Sequence, residues 1–566
     1  MTTHETTRRV TAHRLGATRS TNRLAISIAL ALGTITLGTL SVAQAESLNI
    51  ETASIADLSK AYANGKLSSE KVVEAYLKRI EAYDKKGPAI NAVITLNPKA
   101  IELAKTLDAE RKSGKIRGPL HGIPIVLKDN YDTFDLPTTG GSQMLEGSIP
   151  PDDAFVVKKL RDAGAIIVAK VNLSEWAGGG GSVGSTTDPE IRKKGQVPNG
   201  FSSAGGQTHN PHDLTRGPAG SSGGTGASIA AAFAQAGMGT DTGGSVRGPS
   251  AANGIVGLKP TLGLLSRDGI IPLALSFDTG GPMARSVYDL AVMLGAMTGV
   301  DAADAATKTS AGKSETDYTK FLKAGSLKGA HIGVARDFMK QDAETDRIME
   351  SAIATLKKQG AVVVDPLPYP QFLLDVRQPL LNMMMAAEFK VQITDYLKTT
   401  KPKYPKSFAD LVTLSNDPKF GYRSPEKAFG FKYQASTALD LTDPVYLAAK
   451  NEGLPFIRSS VLALFSKYKL DAIVYPTSPR PATLIKPATP APMGGSATGI
   501  ANLTGFPDLI VPAGMTKEGL PVTISFFGQA YSEPKLLSYG FDFEQATKAR
   551  VLPKNTPALP SDTIAF

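Results

Sequence analysis

The feature that most constrains this chain is a pair of glycine-serine clusters, Gly220-Ser221-Ser222-Gly223-Gly224 and Gly239-Thr240-Asp241-Thr242-Gly243-Gly244-Ser245-Val246-Arg247. They sit in a stretch of small residues running from Gly217 to Gly248. Glycine adopts backbone conformations that other residues resist, so this density lets several N–H groups converge on one point. Ser221 and Ser245 are 24 residues apart and flank an apolar segment, Ala227 to Ala236, that reads as a helix. By composition alone the clusters are compatible with plain turns, an oxyanion pocket or a phosphate cradle. A P-loop needs a Lys-Ser or Lys-Thr pair after its last glycine, and a dinucleotide fingerprint needs Gly-x-Gly-x-x-Gly after a strand; neither occurs here. The near match to Gly-x-Ser-x-Gly centred on Ser222 requires a histidine later in the chain. Only His331 is available, at the head of a predicted strand, His331 to Val334.

Elsewhere helices and short strands alternate. Leu58 and Tyr62, then Val72, Val73, Tyr76, Leu77 and Ile80, fall at helical spacing, with Ser68 and Ser69 as cap candidates for the second helix. Further helices are predicted over Lys99 to Lys112, Ala154 to Ala163, Val287 to Met297 and Asp346 to Lys358. Strands are predicted at Ile123 to Leu127, Ile166 to Ala169, Ile255 to Leu258, Ile270 to Leu273, Ala472 to Tyr475, Leu509 to Val511 and Val522 to Phe527. This order predicts an α/β fold with a parallel or mixed sheet covered by helices. The expected organisation is a core of motifs over 120–286, a helical insertion or lid at about 371–448, and completion of the sheet by 470–550. Gly178 to Gly206 breaks the pattern and reads as a loop of unusual length, the kind that shapes a site.

Composition narrows the functional classes. With 42% hydrophobic and 20% charged residues the chain has an ordinary globular make-up. The formal charge of +10 falls to +6, from 57 basic and 51 acidic residues, once the first 45 residues are set aside. That mild excess is spread out, without a dense basic tract, and a single Trp offers little base stacking, so nucleic acid is not an expected partner. The first 45 residues read as a secretory signal: Arg8, Arg9, Arg14, Arg19 and Arg23, an apolar run from Leu24 to Leu40, then Ala43-Gln44-Ala45 before Glu46. Cleavage after Ala45 is expected, giving an exported protein, periplasmic or secreted, with no stable membrane association and a mature domain of 46–566. Cysteine is absent, which excludes cysteine hydrolases and thiolate metal sites.

The run from Gly220 through Gly281-Pro282-Met283-Ala284-Arg285-Ser286 resembles the core of the amidase signature family. So does Leu120-His121-Gly122-Ile123-Pro124-Ile125-Val126-Leu127-Lys128-Asp129-Asn130, as do Asn502-Leu503-Thr504-Gly505-Phe506-Pro507 and Gly519-Leu520-Pro521-Val522. The resemblance spans roughly Ile55 to Ala549 and implies a single large α/β domain with a mixed sheet covered by helices. Asn172-Leu173-Ser174-Glu175-Trp176 and Ser266-Arg267-Asp268-Gly269-Ile270-Ile271-Pro272 look most like bacterial peptide amidases. Ala219 before Gly220-Ser221 and the 178–206 loop depart from the commonest pattern.

The resemblance implies a nucleophile at Ser245, a proton relay at Ser221, whose peptide bond is cis in the family, and a base at Lys128. It implies an oxyanion hole from the N–H groups of Thr242, Gly243, Gly244 and Ser245, and neither metal nor cofactor. The chemistry is coherent with this assignment. A serine hydroxyl needs a base, and a lysine desolvated at a strand end can supply one. Asp129, Asp241 and Arg247 read as structural polar groups fixing the turns, and His121 as a structural histidine. His209, His212 and Asp213 resemble part of a metal site, but Pro211 breaks the spacing that would align them. The implied reaction is hydrolysis of a carboxamide of a small molecule or peptide through an acyl-serine, with C-terminal peptide amides a possible substrate. Ester or carbamate hydrolysis, the amide-hydrolysing subunit of a tRNA-dependent amidotransferase, and a non-catalytic periplasmic binding protein are the rival readings. The substrate pocket is expected from Gln143 to Glu146, the 178–206 loop and parts of 371–448.

Overall fold

A computed structural model describes residues 47–180, 186, 188–486 and 496–566. The predicted leader and its Ala43-Gln44-Ala45 site lie outside them, as does part of the 178–206 loop. The chain from Glu46 onward forms one unit built on an 11-stranded sheet. In spatial order its strands begin at residues 362, 331, 472, 521, 508, 256, 279, 236, 124, 166 and 93. The three strands 236–241, 124–128 and 166–171 run parallel, as do 362–364, 331–334 and 472–476, while 279–284, 256–259, 508–515 and 521–527 are antiparallel to their neighbours. Together they make the mixed sheet that the alternation of elements predicts.

Side chains of strand 124–128 show why it lies at the centre. All five of its residues are buried. Ile125 and Leu127 belong to one apolar cluster and Val126 to another, as expected where alternate residues face opposite sides of a sheet covered by helices on both. Helix Val287–Met297 begins where predicted because Ser286 accepts from the Asp289 N–H, and helix Ser69–Tyr83 because Ser68 accepts from the Lys71 N–H.

Four expectations are corrected. The helix between the two serine clusters covers Gly223–Ala230, not Ala227 to Ala236, and Ala236–Asp241 is a strand. Glycines weaken an isolated helix, but here they permit contact: a Cβ on Gly224 would lie 2.2 Å from the Asn172 carbonyl oxygen. Thr279–Ala284, read only as a motif, is a central strand. A Cβ on Gly281 would lie 2.4 Å from the Leu258 carbonyl oxygen, so glycine admits its neighbour. Ile270 to Leu273 forms no strand beyond a single bridge from Ile270 to Tyr131, since Pro272 lacks a donor. The 178–206 loop carries a helical turn, Pro189–Lys194, and Phe201–Ser202 pairs with Gly206–Gln207.

The segment 371–448 is helical, with helices Gln371–Thr399, Phe408–Ser415, Pro425–Thr437 and Pro444–Ala448. Among the described residues, no helix is long and apolar enough to cross a membrane.

Candidate active site

Lys128 is the last residue of strand 124–128 and is completely buried. Its Nζ donates to Ser221 Oγ at 2.7 Å and to Thr240 Oγ1 at 2.6 Å, and no carboxylate lies within ion-pair distance among the described residues. Burial draws its pKa down from 10.5 to about 7, against the opposing pull of the Asp241 and Asp278 charges. The ammonium is therefore poised to lose its proton near neutrality. Thr240 escaped the sequence reading. The parallel register of 124–128 with 236–241, pairing Leu127 with Met238, brings the end of one strand beside the end of the other. Thr240 Oγ1 also accepts from Asn130 Nδ2 at 3.1 Å.

Ser221 is buried behind Gly220, and the Gly220–Ser221 peptide is cis. Gly220 has no room for a side chain, because a Cβ would lie 2.5 Å from Ser174 Oγ. Ala219, the departure noted in the motif, takes the left-handed region at φ 58°. The Ser222 N–H donates to the Ser245 carbonyl at 3.1 Å, and Ser222 Oγ accepts from the Thr240 N–H at 3.2 Å. One short segment thus joins both serine-bearing turns to the strand beside Lys128.

Ser245 is half-buried at a cleft of about 200 Å³. The cleft is lined by Ala177, Gly178, Gly179, Gly243, Leu273, Met385, Ala386 and Gln434. Of the three segments expected to form the pocket, the 178–206 loop and the helical 371–448 segment contribute to this cleft. Gln143 to Glu146 does not line it. The Gln143–Leu145 turn packs instead beneath the helical segment, with Met144 and Leu145 in one cluster with Phe408 and Leu411.

Asp241 and Arg247 close the turn that carries Ser245. Asp241 accepts from the N–H groups of Gly244 at 2.9 Å and Val246 at 3.0 Å. Arg247 meets it with two parallel bonds, Nε to Oδ2 and Nη2 to Oδ1, each 3.0 Å. Arg247 then reaches the C-terminal third: Asp508 Oδ2 at 2.9 Å, the Thr498 carbonyl at 2.8 Å and Asn502 Oδ1 at 2.6 Å. Burial alone would raise the Asp241 carboxyl, but Arg247 and the Asn502 amide hold it well below the usual carboxylate range. Sequence motifs flagged Asn502 but not its role, and Asp508 not at all.

One part of the expected oxyanion hole is corrected. The Gly244 N–H is committed to Asp241. Those of Thr242, Gly243 and Ser245 have no hydrogen-bond partner among the described residues. Thr242 is fixed through its hydroxyl, which donates to Asp278 Oδ1 at 2.5 Å.

The remaining flagged residues each engage partners of their own. Asp129 pairs with the fully buried Lys170 at 3.1 Å and accepts from the Thr139 N–H at 3.1 Å. The Arg117 N–H donates to His121 Nδ1 at 3.2 Å, which places the ring proton on Nε2, 2.9 Å from the Leu107 carbonyl. His209 and His212 each bond a backbone carbonyl, of Leu214 and Asn253. No group of residues fit to hold a metal occurs among the described residues.

The family model described as Amidase matches residues 71–537, a span that holds every residue of this site. The chain belongs to the amidase family. A probable amidase of Arabidopsis thaliana is 34% identical over 516 residues, covering 89% of this chain and 92% of that protein. One subunit of the glutamyl-tRNA(Gln) amidotransferase of Alkalilimnicola ehrlichii is 35% identical over 505 residues, 87% of this chain and 97% of that one. Among solved structures, the native peptide amidase of Stenotrophomonas maltophilia superposes with a TM-score of 0.80 at 38% identity, covering 89% of this chain and 98% of that one. This amidase is accordingly an amide hydrolase, with the mixed α/β architecture of its structural neighbours.

Proposed function

We propose that this amidase hydrolyses carboxamides, C-terminal peptide amides among them, through a Ser245–Ser221–Lys128 relay. The observation that carries the proposal is the setting of Lys128: a wholly buried amine touched by two hydroxyls and paired with no carboxylate. Other buried lysines in the same molecule look different: Lys170 lies against Asp129, while Lys259 and Lys427 donate to backbone carbonyls rather than to hydroxyls.

In the forward step Ser245 Oγ attacks the carbonyl carbon as its proton passes to Ser221 Oγ, while Ser221 gives its own proton to Lys128 Nζ. The carbonyl oxygen becomes an oxyanion, stabilised by the N–H groups of Thr242, Gly243 and Ser245, whose turn is held rigid by Asp241 and Arg247. When the C–N bond breaks, the same relay runs backwards and protonates the departing nitrogen, which would otherwise leave as an amide anion. Water then attacks the acyl-serine by the same proton path and releases the carboxylic acid. The peptide part of the proposal is supported by the Stenotrophomonas peptide amidase and by a cleft walled by backbone and neutral side chains.

Ammonia release from a panel of carboxamides, with C-terminally amidated peptides included, tests this. The wild type is expected to be active and Ser245→Ala and Lys128→Ala, shown to be folded, to lose at least about a thousandfold in kcat. Full activity in Ser245→Ala would overturn the assignment. Export with cleavage after Ala45 is a further part of the proposal, tested by the N-terminal sequence of protein recovered from a periplasmic extract.

A further inference from the structure

Ala177, Gly178 and Gly179, which line the Ser245 cleft, belong to a short arc, Glu175–Gly179, in which Trp176 and Ala177 both take the left-handed region, at φ 56° and 55°. Residues with a Cβ rarely adopt that conformation, and two in succession persist only where their neighbours hold them. Bonds close to the arc do part of this. The Trp176 N–H donates to the Gly140 carbonyl at 2.8 Å, and the Gly179 N–H donates to the Trp176 carbonyl at 2.8 Å. Neither bond joins the first residue of the arc to the last.

That join is made from helix Pro425–Thr437, 252 residues along the chain from Glu175. Lys427 is buried there, and its Nζ donates to the Glu175 carbonyl at 3.1 Å and to the Gly179 carbonyl, so one amine spans both ends of the arc. Burial draws its pKa down only to about 8, which leaves it charged at neutral pH and makes both bonds charge-assisted. The acidic group that bears on it, the Glu175 carboxylate, is engaged elsewhere: it accepts from the Ser203 N–H and Oγ, each at 2.9 Å, and from the Tyr422 hydroxyl. Phe431, one turn further along the helix, lies 5.6 Å from Nζ at its ring centroid. Its ring packs against the backbone that follows the arc, where a Cβ on Gly180 would come within 2.0 Å.

We propose that Lys427 is a positioning residue for amide hydrolysis: by clamping both ends of the Glu175–Gly179 arc it fixes the wall against which a substrate held at Ser245 rests. It touches no reacting atom and acts through the backbone it holds. The helical segment 371–448 thus sets a second part of the cleft besides the residues it supplies directly, Met385, Ala386 and Gln434. The proposal rests on the reading of that cleft as the substrate site. Binding against a preformed wall is lost when the wall is free to move, so the effect belongs chiefly to KM.

Trp176 is the only tryptophan of the chain and stands in the arc, so its fluorescence reports the wall without any need for turnover. Lys427→Met keeps the apolar stem and removes both bonds. Its tryptophan emission is expected to move to the red as the indole gains water. KM for N-acetyl-L-leucinamide is expected to rise about tenfold, with the larger share of the loss in kcat/KM falling on KM. Lys427→Gln, neutral but still a donor, should show the same split at smaller size, and it keeps the test open where the methionine variant fails to fold. Leu58→Ala, buried in an apolar cluster separate from that of Trp176, controls for a general loss of stability and is expected to keep wild-type emission and KM. Wild-type emission and KM in a folded Lys427 variant overturn the proposal, as does a loss confined to kcat or one that Leu58→Ala reproduces. Should the wild type leave the leucinamide intact, that failure belongs to the hydrolytic reading, and the emission of Trp176 by itself upholds or overturns the clamp.

Discussion

Lys128 Nζ donates to Ser221 Oγ at 2.7 Å from a position with no exposure to solvent. Its second partner, Thr240, is also a hydroxyl, so nothing anionic in direct contact stabilises the ammonium. The pKa of about 7 follows from that combination, and with it a pH dependence.

The neutral amine is the form that can accept a proton, so kcat/KM is expected to rise with pH and level off above about 7. Thr240→Val removes a hydrogen bond that favours the charged form, which lowers the pKa of Lys128 further. The acidic limb of the profile is then expected to move to lower pH by about one unit. A limb that moves upward, or stays fixed in Thr240→Val, would show that another group controls it.

Stability carries the same signature. The Lys128 pKa is depressed on folding, from 10.5 to about 7, so between those values the unfolded chain binds the proton and the folded chain does not. The unfolding free energy therefore gains from this group as pH rises through that window, by at most about 1.4 kcal/mol per pH unit. Lys128→Met abolishes the gain. The wild-type minus variant difference in unfolding free energy, measured by urea denaturation at a series of pH values, is expected to climb between about pH 7 and 10 and be flat below. A pH-independent difference would contradict a lysine that folds neutral.

How much of this could be read beforehand depended on whether a partner lies close in sequence. Lys128, Ser221 and Ser245, the residues of the proposed relay, stand inside continuous runs, and the resemblance points to all three from those runs. Thr240 stands in the same run yet went unnoticed, because its meaning depends on the register between two strands. The partners of Arg247 lie as far as 261 residues away at Asp508, a separation no local pattern bridges. Helix Val287–Met297 was bounded correctly because its cap and its apolar period are both local. Helix Gly223–Ala230 was not, because its glycines answer to tertiary contacts with Asn172.

Arg247 is a case in which removal should be far costlier than replacement of the whole group. It is buried between the carboxylates of Asp241 and Asp508, and its loss strands both in the interior. Arg247→Met is expected to lower unfolding stability by about 3–5 kcal/mol, read from the denaturant midpoint at constant slope. Arg247→Lys should recover little, since one ammonium cannot form the two parallel bonds to Asp241. Near-complete recovery by lysine would mean that charge alone, rather than the paired geometry, holds the turn.

The neighbouring glycines of the Ser245 turn should separate folding from access. Gly244 has φ 115°, and a Cβ there would lie 2.8 Å from Thr498 Oγ1 and 3.1 Å from Thr498 Cβ. Gly244→Ala therefore meets a disfavoured backbone and a clash at once, and a loss of roughly 1–3 kcal/mol or more in stability is expected. Gly243 has no such restriction: a Cβ would sit at 3.4 Å from Leu381 and 3.9 Å from Met385, ordinary contact distances. Gly243→Ala should keep wild-type stability within about 0.5 kcal/mol. Its methyl group would stand in the cleft beside Ser245, so KM should rise most for amides with bulky acyl groups and little for acetamide. Thermal denaturation and KM measured on both variants check the contrast, and equal destabilisation by the two alanines would contradict this account of the turn.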